Sequence, residues 1–194
     1  MRRVMVALAA VLILGGARPA SATTYTIDQD HSTVSFKIRH LFSKVDGTFN
    51  QFEGTFEYVP GHSEQWRAEA TIQAASIDTR VDKRDNHLRS ADFFEVDKYP
   101  TITFKSTGIT DVTDTTAKLH GVLLLHGIEK PVDLDLTILG EGKDPWGNMR
   151  SGFTATTRIN RKDFAIIWNK ALETGDLLLG DDVDITLEIE GLVK

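Results

Sequence analysis

Residues 28–40 read Asp-Gln-Asp-His-Ser-Thr-Val-Ser-Phe-Lys-Ile-Arg-His, and this stretch decides the fold class. From Thr33 onward, apolar and polar side chains alternate along the chain. Val34, Phe36 and Ile38 point to one face, and the polar residues between them point to the other. A period of two residues is typical of a β-strand that has one dry face and one face in water.

The same alternation recurs along most of the chain, and it predicts an all-β fold. Further strands are predicted near residues 66–73, 101–107, 117–125, 132–138, 149–159 and 183–189. Their hairpin spacing favours antiparallel pairing, with about eight to ten strands and one or two short helices. Because an open sheet would leave long apolar edges, we expect about eight strands to close into a barrel. A barrel of that size is either just filled or holds one ligand.

One polar stretch interrupts the alternation and predicts a short helix. Residues 82–90 carry Asp82 as a potential N-cap and Asp85 three residues later. An acidic residue at each of these positions can satisfy the free N–H groups of a first helical turn.

The first 22 residues have the features of a removable export signal. Arg2 and Arg3 precede an apolar core at residues 4–14, and the small residues 20–22 form a cleavage site. The apolar core is too short to span a membrane, which takes roughly 20 residues. We therefore expect a periplasmic domain of residues 23–194 with no stable insertion into the membrane.

Composition narrows the function further. The chain has no cysteine, which excludes disulfides, thiolate metal sites and a cysteine nucleophile. Removal of the signal leaves 19 basic and 28 acidic residues, a net charge of −9. An acidic domain is a poor candidate for binding nucleic acid.

Several blocks of sequence, in order, resemble the YceI-like family of exported bacterial proteins, and no block is missing. The first is D-x-x-H-S-x-V-x-F-x-I-x-H at residues 28–40. The others are V-D-G-T-F-x-x-F-E-G at 45–54, R-D-N-H-L-R-S-A-D-F-F at 84–94, Y-P-T-I-T-F-K-S at 99–106, G-V-L-L-L-H-G-I-E-K-P-V at 121–132, I-N-R-K-D-F at 159–164 and G-D-D-V-D-I at 180–185.

The resemblance implies an extended lipocalin-like antiparallel barrel with a long central tunnel that binds a polyisoprenoid or similar long-chain amphiphile, such as a quinone-type or fatty-acyl lipid. It brings no catalytic residue and no further cofactor. We take the apolar strand faces as the tunnel wall, because the alternation already places them inside. The predicted ligand-binding residues are Val34, Phe36, Ile38, Phe104, Leu119, Leu123, Leu134, Leu136, Phe153, Ile185 and Leu187. The alternative is that these side chains only pack against one another.

Four basic residues near the predicted helix are candidates for contacting a lipid head group. They are Arg80, Lys83, Arg84 and Arg89. Aspartates at positions 78, 82, 85 and 92 are interleaved with them, so ordinary surface ion pairs are the alternative.

Evidence for catalysis or for a metal site is weak. His31 and Ser32 are neighbours on a strand and so face opposite ways, and no HExxH or GxSxG motif is present. We therefore expect no enzyme and no metal centre. The sequence predicts a periplasmic protein that carries, stores or senses a lipid, with a homodimer left open. A filled barrel that binds another protein is the second hypothesis, and a lipid hydrolase is the third.

Overall fold

The alternating stretches form strands in the computed structural model, which describes residues 22–173 and 177–193. Within these residues there are eleven strands: β1 Thr23–Ile27, β2 Thr33–His40, β3 Ser43–Phe49, β4 Phe52–Tyr58, β5 Arg67–Gln73, β6 Ile77–Asp78, β7 Thr101–Thr110, β8 Thr116–Leu125, β9 Ile128–Lys143, β10 Met149–Asn160 and β11 Leu179–Val193. One α-helix, α1, covers Asp82–Arg89, and 3-10 helices cover Gln29–His31, Ser63–Gln65, Ala74–Ser76 and Arg161–Phe164. The predicted export signal lies outside the described residues except for Ala22.

Eight of the strands close into an antiparallel barrel. They follow the order β1-β4-β5-β7-β8-β9-β10-β11, and β11 pairs back to β1. Closure pairs the outer edges of β1 and β11 with each other, which removes the free edges that an open sheet would expose. The all-β class, the antiparallel pairing and the closure of about eight strands are confirmed.

Because β11 is long, it pairs with two strands along the edge that faces away from β10. Residues 191–193 pair with β1, whereas residues 179–188 pair with β2. From β2 the sheet continues through β3 to the short strand β6. These three strands therefore extend the sheet beyond the ring at the end of the barrel where β11 begins.

The two ends of the barrel differ in their connections. One end, called the helix end here, carries α1, the turn at residues 126–127 and, before β11, the described residues 161–173 and 177–178. The other end, called the turn end, carries the short connections 111–115 and 144–148. Long connections can cover one end of a barrel. An end that has mainly short turns must be closed by side chains of the strands and of residues next to them.

Aromatic side chains fill the turn end. The rings of Tyr25 and Phe56 stack with centroids 5.0 Å apart. Phe153 meets Phe56 edge-on at 5.3 Å and Tyr58 at 5.1 Å, and Trp66 packs on Tyr58 at 4.8 Å. Such edge-on and offset contacts add to the stabilisation from burial alone.

Two further contacts explain how tightly this end is closed. The ring of Phe56 lies directly on Gly191, where a Cβ atom would come within 2.4 Å of Phe56 Cε1. Tyr25 is 1% exposed, and its hydroxyl donates to Glu141 Oε2 at 3.0 Å. Burial, with the hydrogen bond to Glu141, raises the pKa of Tyr25 to about 12. The hydroxyl therefore stays protonated and keeps this contact across the physiological pH range.

Helix α1 forms where the sequence predicts it, but its capping differs. Val81 occupies the N-cap position and provides no side-chain cap. Asp85 instead turns inward, where its Oδ1 accepts the backbone N–H of Thr79 at 2.9 Å and the Thr79 hydroxyl. The predicted cap at Asp82 is wrong because Asp82 is already the first residue of the helix, with Val81 at the N-cap position. Asp85 binds Thr79 instead of the first helical turn. Within the described residues, no helix is long and apolar enough to cross a membrane.

Candidate functional site

A cavity of about 350 Å³ lies inside the helix end of the barrel. Its wall is formed mainly by apolar side chains on the inner faces of the strands, with contributions from α1 and the segment before β11. The side chains of the described residues therefore leave room in this half of the barrel. The volume lies at the lower end of the range for small-molecule pockets, roughly 300–1,000 Å³.

Eight of the eleven predicted wall residues line this cavity. They are Val34, Phe36, Ile38, Phe104, Leu123, Leu134, Ile185 and Leu187. They come from five strands, β2, β7, β8, β9 and β11. The alternation within each strand was enough to predict which face these residues occupy. Their contact with a ligand stays a prediction.

The other three predicted wall residues lie elsewhere. Leu119 and Leu136 are buried in the core of the turn end, and Phe153 packs against that core. Their alternation is inward, as predicted, but the rings described above occupy the space that they face. A tunnel through the whole barrel, which the resemblance implies, is therefore not formed by the described residues. The room is a cavity that extends from the helix end as far as Leu134 and Ile189, at the edge of the turn-end core.

Aromatic residues outside the strands cover the cavity. The imidazole of His87 meets the rings of Phe93 and Trp168 edge-on, with centroids 5.0 and 4.9 Å away. Phe93 and Trp168 are themselves 5.1 Å apart, and all three residues line the cavity. Sequence reasoning missed this cover, because loop residues have no periodicity that reveals which way they face.

The four candidate head-group residues are placed very differently. Arg84 lines the cavity. Arg89 donates to the carbonyl oxygens of Ala75 and Ile77, and so ties α1 to the sheet. The side chain of Arg80 is 76% exposed and lies 3.5 Å from Asp46, and Lys83 is exposed without lining the cavity.

A further arginine on the wall was missed. Arg161 is 3% exposed and lines the cavity. Its Nε donates to the carbonyl of Gly180 at 2.9 Å, and its Nη1 donates to the carbonyls of Ile166 and Trp168 at 2.7 and 2.8 Å. Burial lowers the pKa of Arg161 from its ordinary value. A signal was present in the sequence, since Arg161 continues the inward parity of β10.

The barrel wall is thin where β9 and β10 separate. Their ladder ends at the pair Thr156 and Asp135, and beyond it β9 pairs only with β8 and β10 only with β11. A depression of about 490 Å³ occupies this seam. It shares Val132, Thr157 and Ile159 with the cavity, so one layer of side chains separates the two spaces there.

A cluster of possible metal ligands lies outside the cavity. Side-chain atoms of Asp28, His31 and Glu190 come within 4.8 Å of one another. However, Arg150 Nη1 donates to Asp28 at 2.7 Å and to Glu190 at 2.5 Å. The guanidinium offsets part of the acidic charge, and so the cluster is accounted for as an ion-pair network.

Comparison with known proteins agrees with this geometry. A sequence model of the YceI-like domain matches residues 25–191. A UPF0312 protein of Azotobacter vinelandii is 39% identical, over 99% of this chain and 98% of its own length. The crystal structure of the Campylobacter jejuni YCEI protein matches with a TM-score of 0.70 and 28% identity, over 97% of this chain and 99% of that one.

A second solved structure shows the same fold at low sequence identity. It is described as a polyisoprenoid binding domain from Saccharophagus degradans, and it matches with a TM-score of 0.65 and 16% identity, over 89% of this chain and 99% of that one. The family match covers both the strands of the barrel and the residues around the cavity. The chain therefore belongs to the YceI-like family.

Proposed function

We propose that this protein binds the hydrocarbon tail of a long-chain amphiphile, a polyisoprenoid or a tail of similar shape, in the cavity at the helix end. The observation that carries the proposal is the apolar cavity of about 350 Å³ within a closed barrel. Protein interiors are normally packed as tightly as organic crystals, so unfilled apolar space of this size needs an explanation. Occupation by an apolar guest is the explanation that the wall chemistry supports.

The energetics support a hydrocarbon guest. Each buried methylene is worth about 0.8 kcal/mol, so ten of them contribute about 8 kcal/mol before the costs of association. A tail that leaves a bilayer gains little of this, because the membrane is equally apolar. Selection among lipids then depends on the shape of the cavity and on polar contacts to the head group.

The Saccharophagus degradans structure is described as a polyisoprenoid binding domain, which supports a ligand with an isoprenoid tail. The resemblance of this sequence to the YceI-like family supports the same class of ligand. As part of the proposal, the protein acts by binding rather than by catalysis. We also propose that it works in the periplasm, where it carries, stores or senses its lipid, in line with the predicted export signal. The existence of the cavity disfavours the alternative of a completely filled barrel that binds only other proteins.

The proposal is tested by identifying what the protein holds. The full chain is expressed with its signal in a Gram-negative host, released by osmotic shock, and purified without detergent. Solvent extraction followed by mass spectrometry is expected to give a long-chain amphiphile at close to one molecule per protein. The same protein, unfolded and refolded without lipid, supplies the background. Extracts that never exceed this background would contradict the proposal, and recovery only from the cytoplasm would contradict the location.

A further inference from the structure

The polar groups on the cavity wall are unusual for an acidic protein. Although residues 23–194 carry a net charge of −9, no aspartate or glutamate occurs among the described residues that line the cavity. The charged side chains on that wall are Arg84 and Arg161, and the other side-chain nitrogen donors are His40, His87 and Trp168. In a chain with more acidic than basic residues, acidic side chains would be expected on the cavity wall at least as often as basic ones.

Contacts place the arginines at one end of the cavity. Arg84 and His87 are three residues apart in α1 and so share a helix face. The His87 ring lies 4.9 Å from the ring of Trp168, and the carbonyl of Trp168 accepts a hydrogen bond from Arg161 at 2.8 Å. Arg84 thus lies one helical turn from His87, and Arg161 is hydrogen-bonded to the backbone of Trp168, whose ring packs on that of His87.

Arg84 is held in place but is not saturated. Its Nε donates to Thr79 Oγ1 at 2.6 Å, and its Nη2 donates to the Thr79 carbonyl at 2.7 Å. Thr79 is 2% exposed and is fixed in turn by Asp85. A guanidinium has five N–H donors, so three remain without a hydrogen bond to the described part of the chain. No carboxylate of those residues lies within 4.0 Å of Arg84.

Arg161 adds positive charge and has little donor capacity left. Three carbonyl oxygens and Asp181, at 3.4 Å, take up four of its five donors. Asp181 is shared with Lys162, whose Nζ is 2.8 Å from the other carboxylate oxygen. The charge of Arg161 is therefore only partly compensated, and a buried cation in apolar surroundings favours an anion nearby.

We propose that the amphiphile in the cavity carries an acidic head group, a carboxylate or a phosphate, that Arg84 binds through its free N–H groups beside the positive charge of Arg161. This inference rests on the proposed function. Arginine suits the role because its planar fork matches the oxygens of both acids, and because Thr79 already fixes its orientation.

Three ligands with the same tail test the proposal: dodecanoate, dodecyl phosphate and dodecanol, titrated calorimetrically into the delipidated full chain. The acid that matches the natural head group is expected to bind about tenfold tighter than dodecanol or more. Arg84→Gln is expected to remove most of this preference while leaving dodecanol binding within about twofold, and Arg84→Lys to retain part of it. A preference for dodecanoate assigns a carboxylate, and a preference for dodecyl phosphate assigns a phosphate.

The matched control is Arg80→Gln, which makes the same charge change four residues earlier at an exposed site outside the cavity wall. It is expected to leave all three affinities unchanged. Equal binding of dodecanol and both acids to the native protein, or equal losses from the two glutamine variants, would overturn the inference and leave tail binding intact. If none of the three ligands binds, the proposed function itself fails. If Arg84→Gln does not fold, the comparison of head groups in the native protein decides.

Discussion

Phe36 lies directly over Gly47 of the neighbouring strand, so that a Cβ atom added at Gly47 would come within 2.3 Å of Phe36 Cζ. The same added atom would lie 3.0 Å from Thr79 Cγ2. Phe36 forms part of the cavity wall, and its ring position thus depends on the absence of a side chain opposite it.

Gly47→Ala is expected to push the Phe36 ring into the cavity. Stability should fall by about 1–3 kcal/mol, as for other overpacked sites, and affinity for a tail should fall with it. Urea unfolding and ligand titration measure the two effects. Gly142→Ala is the control, because nothing lies within 4 Å of a Cβ atom at that strand position. If both variants behave alike, the contact between Phe36 and Gly47 does not set the shape of the wall.

Phe153→Ala is expected to reduce stability without reducing ligand affinity. Its ring packs against the core of the turn end, so truncation should cost about 3–5 kcal/mol. The tail affinity, measured well below the unfolding temperature, should stay within about twofold of the native value. A large loss of affinity would mean that the ligand reaches the turn end, and that the cavity is longer than the structure indicates.

Asp85→Ala is expected to destabilise the protein by about 1–3 kcal/mol, because it leaves the buried N–H and hydroxyl of Thr79 without an acceptor. Asp82→Ala removes an exposed acid from the first turn of the same helix and should cost about 0.5 kcal/mol or less. Chemical unfolding of the two variants compares them directly. A larger loss of stability in Asp82→Ala than in Asp85→Ala would show that Asp82 caps the helix, as the sequence predicted.

Acid sensitivity should depend on Arg150. The hydrogen bond from Arg150 lowers the pKa of Asp28. The pKa of Asp144 is lowered most by its hydrogen bond from Asn148, and the hydrogen bond from Arg150 lowers it further. A carboxyl group with a lowered pKa in the folded state stabilises the protein above its unfolded pKa, near 3.9, and loses this contribution as the pH falls through its folded value. The native protein should therefore lose stability progressively below about pH 4.

Arg150→Gln should lower the thermal midpoint at neutral pH and flatten its fall on acidification. Arg158→Gln, on the same strand but 65% exposed, should change both properties little. Thermal unfolding between pH 7 and pH 2.5 measures this. Parallel pH curves for the native protein and the Arg150 variant would show that the network contributes nothing to acid sensitivity.

Strand periodicity predicted the barrel and most of its wall, because the alternation of apolar and polar residues in each strand shows which side chains face inward. Phe36 and Ile185, for example, face inward by parity alone. Parity does not reveal how far a side chain reaches across the barrel. Phe153 and Leu123 have the same inward pattern, yet one packs into a filled core and the other borders open space. That difference depends on the register of strands that are distant in sequence, and no single strand contains it.

The candidate polar site was only partly predictable for a related reason. Arg84 stood out in the sequence together with three other basic residues, and nothing local distinguished it from Arg89, which binds backbone carbonyls. Arg161 had the correct parity but follows the last predicted strand residue. Only the packing of α1 and the segment before β11 brings these groups to the same cavity.

An apolar guest is expected to occupy the room that the protein's own side chains leave free. The most direct test of this expectation is the titration of farnesol into delipidated native protein and into Leu123→Trp, which places a large ring in the cavity. Leu124→Trp is the control, since Leu124 is on the opposite face of the same strand and does not line the cavity. We expect saturable binding at one site in the native protein and in Leu124→Trp, with affinity weakened about tenfold or more in Leu123→Trp. Equal binding by both variants, or no saturable binding by the native protein, would contradict this expectation.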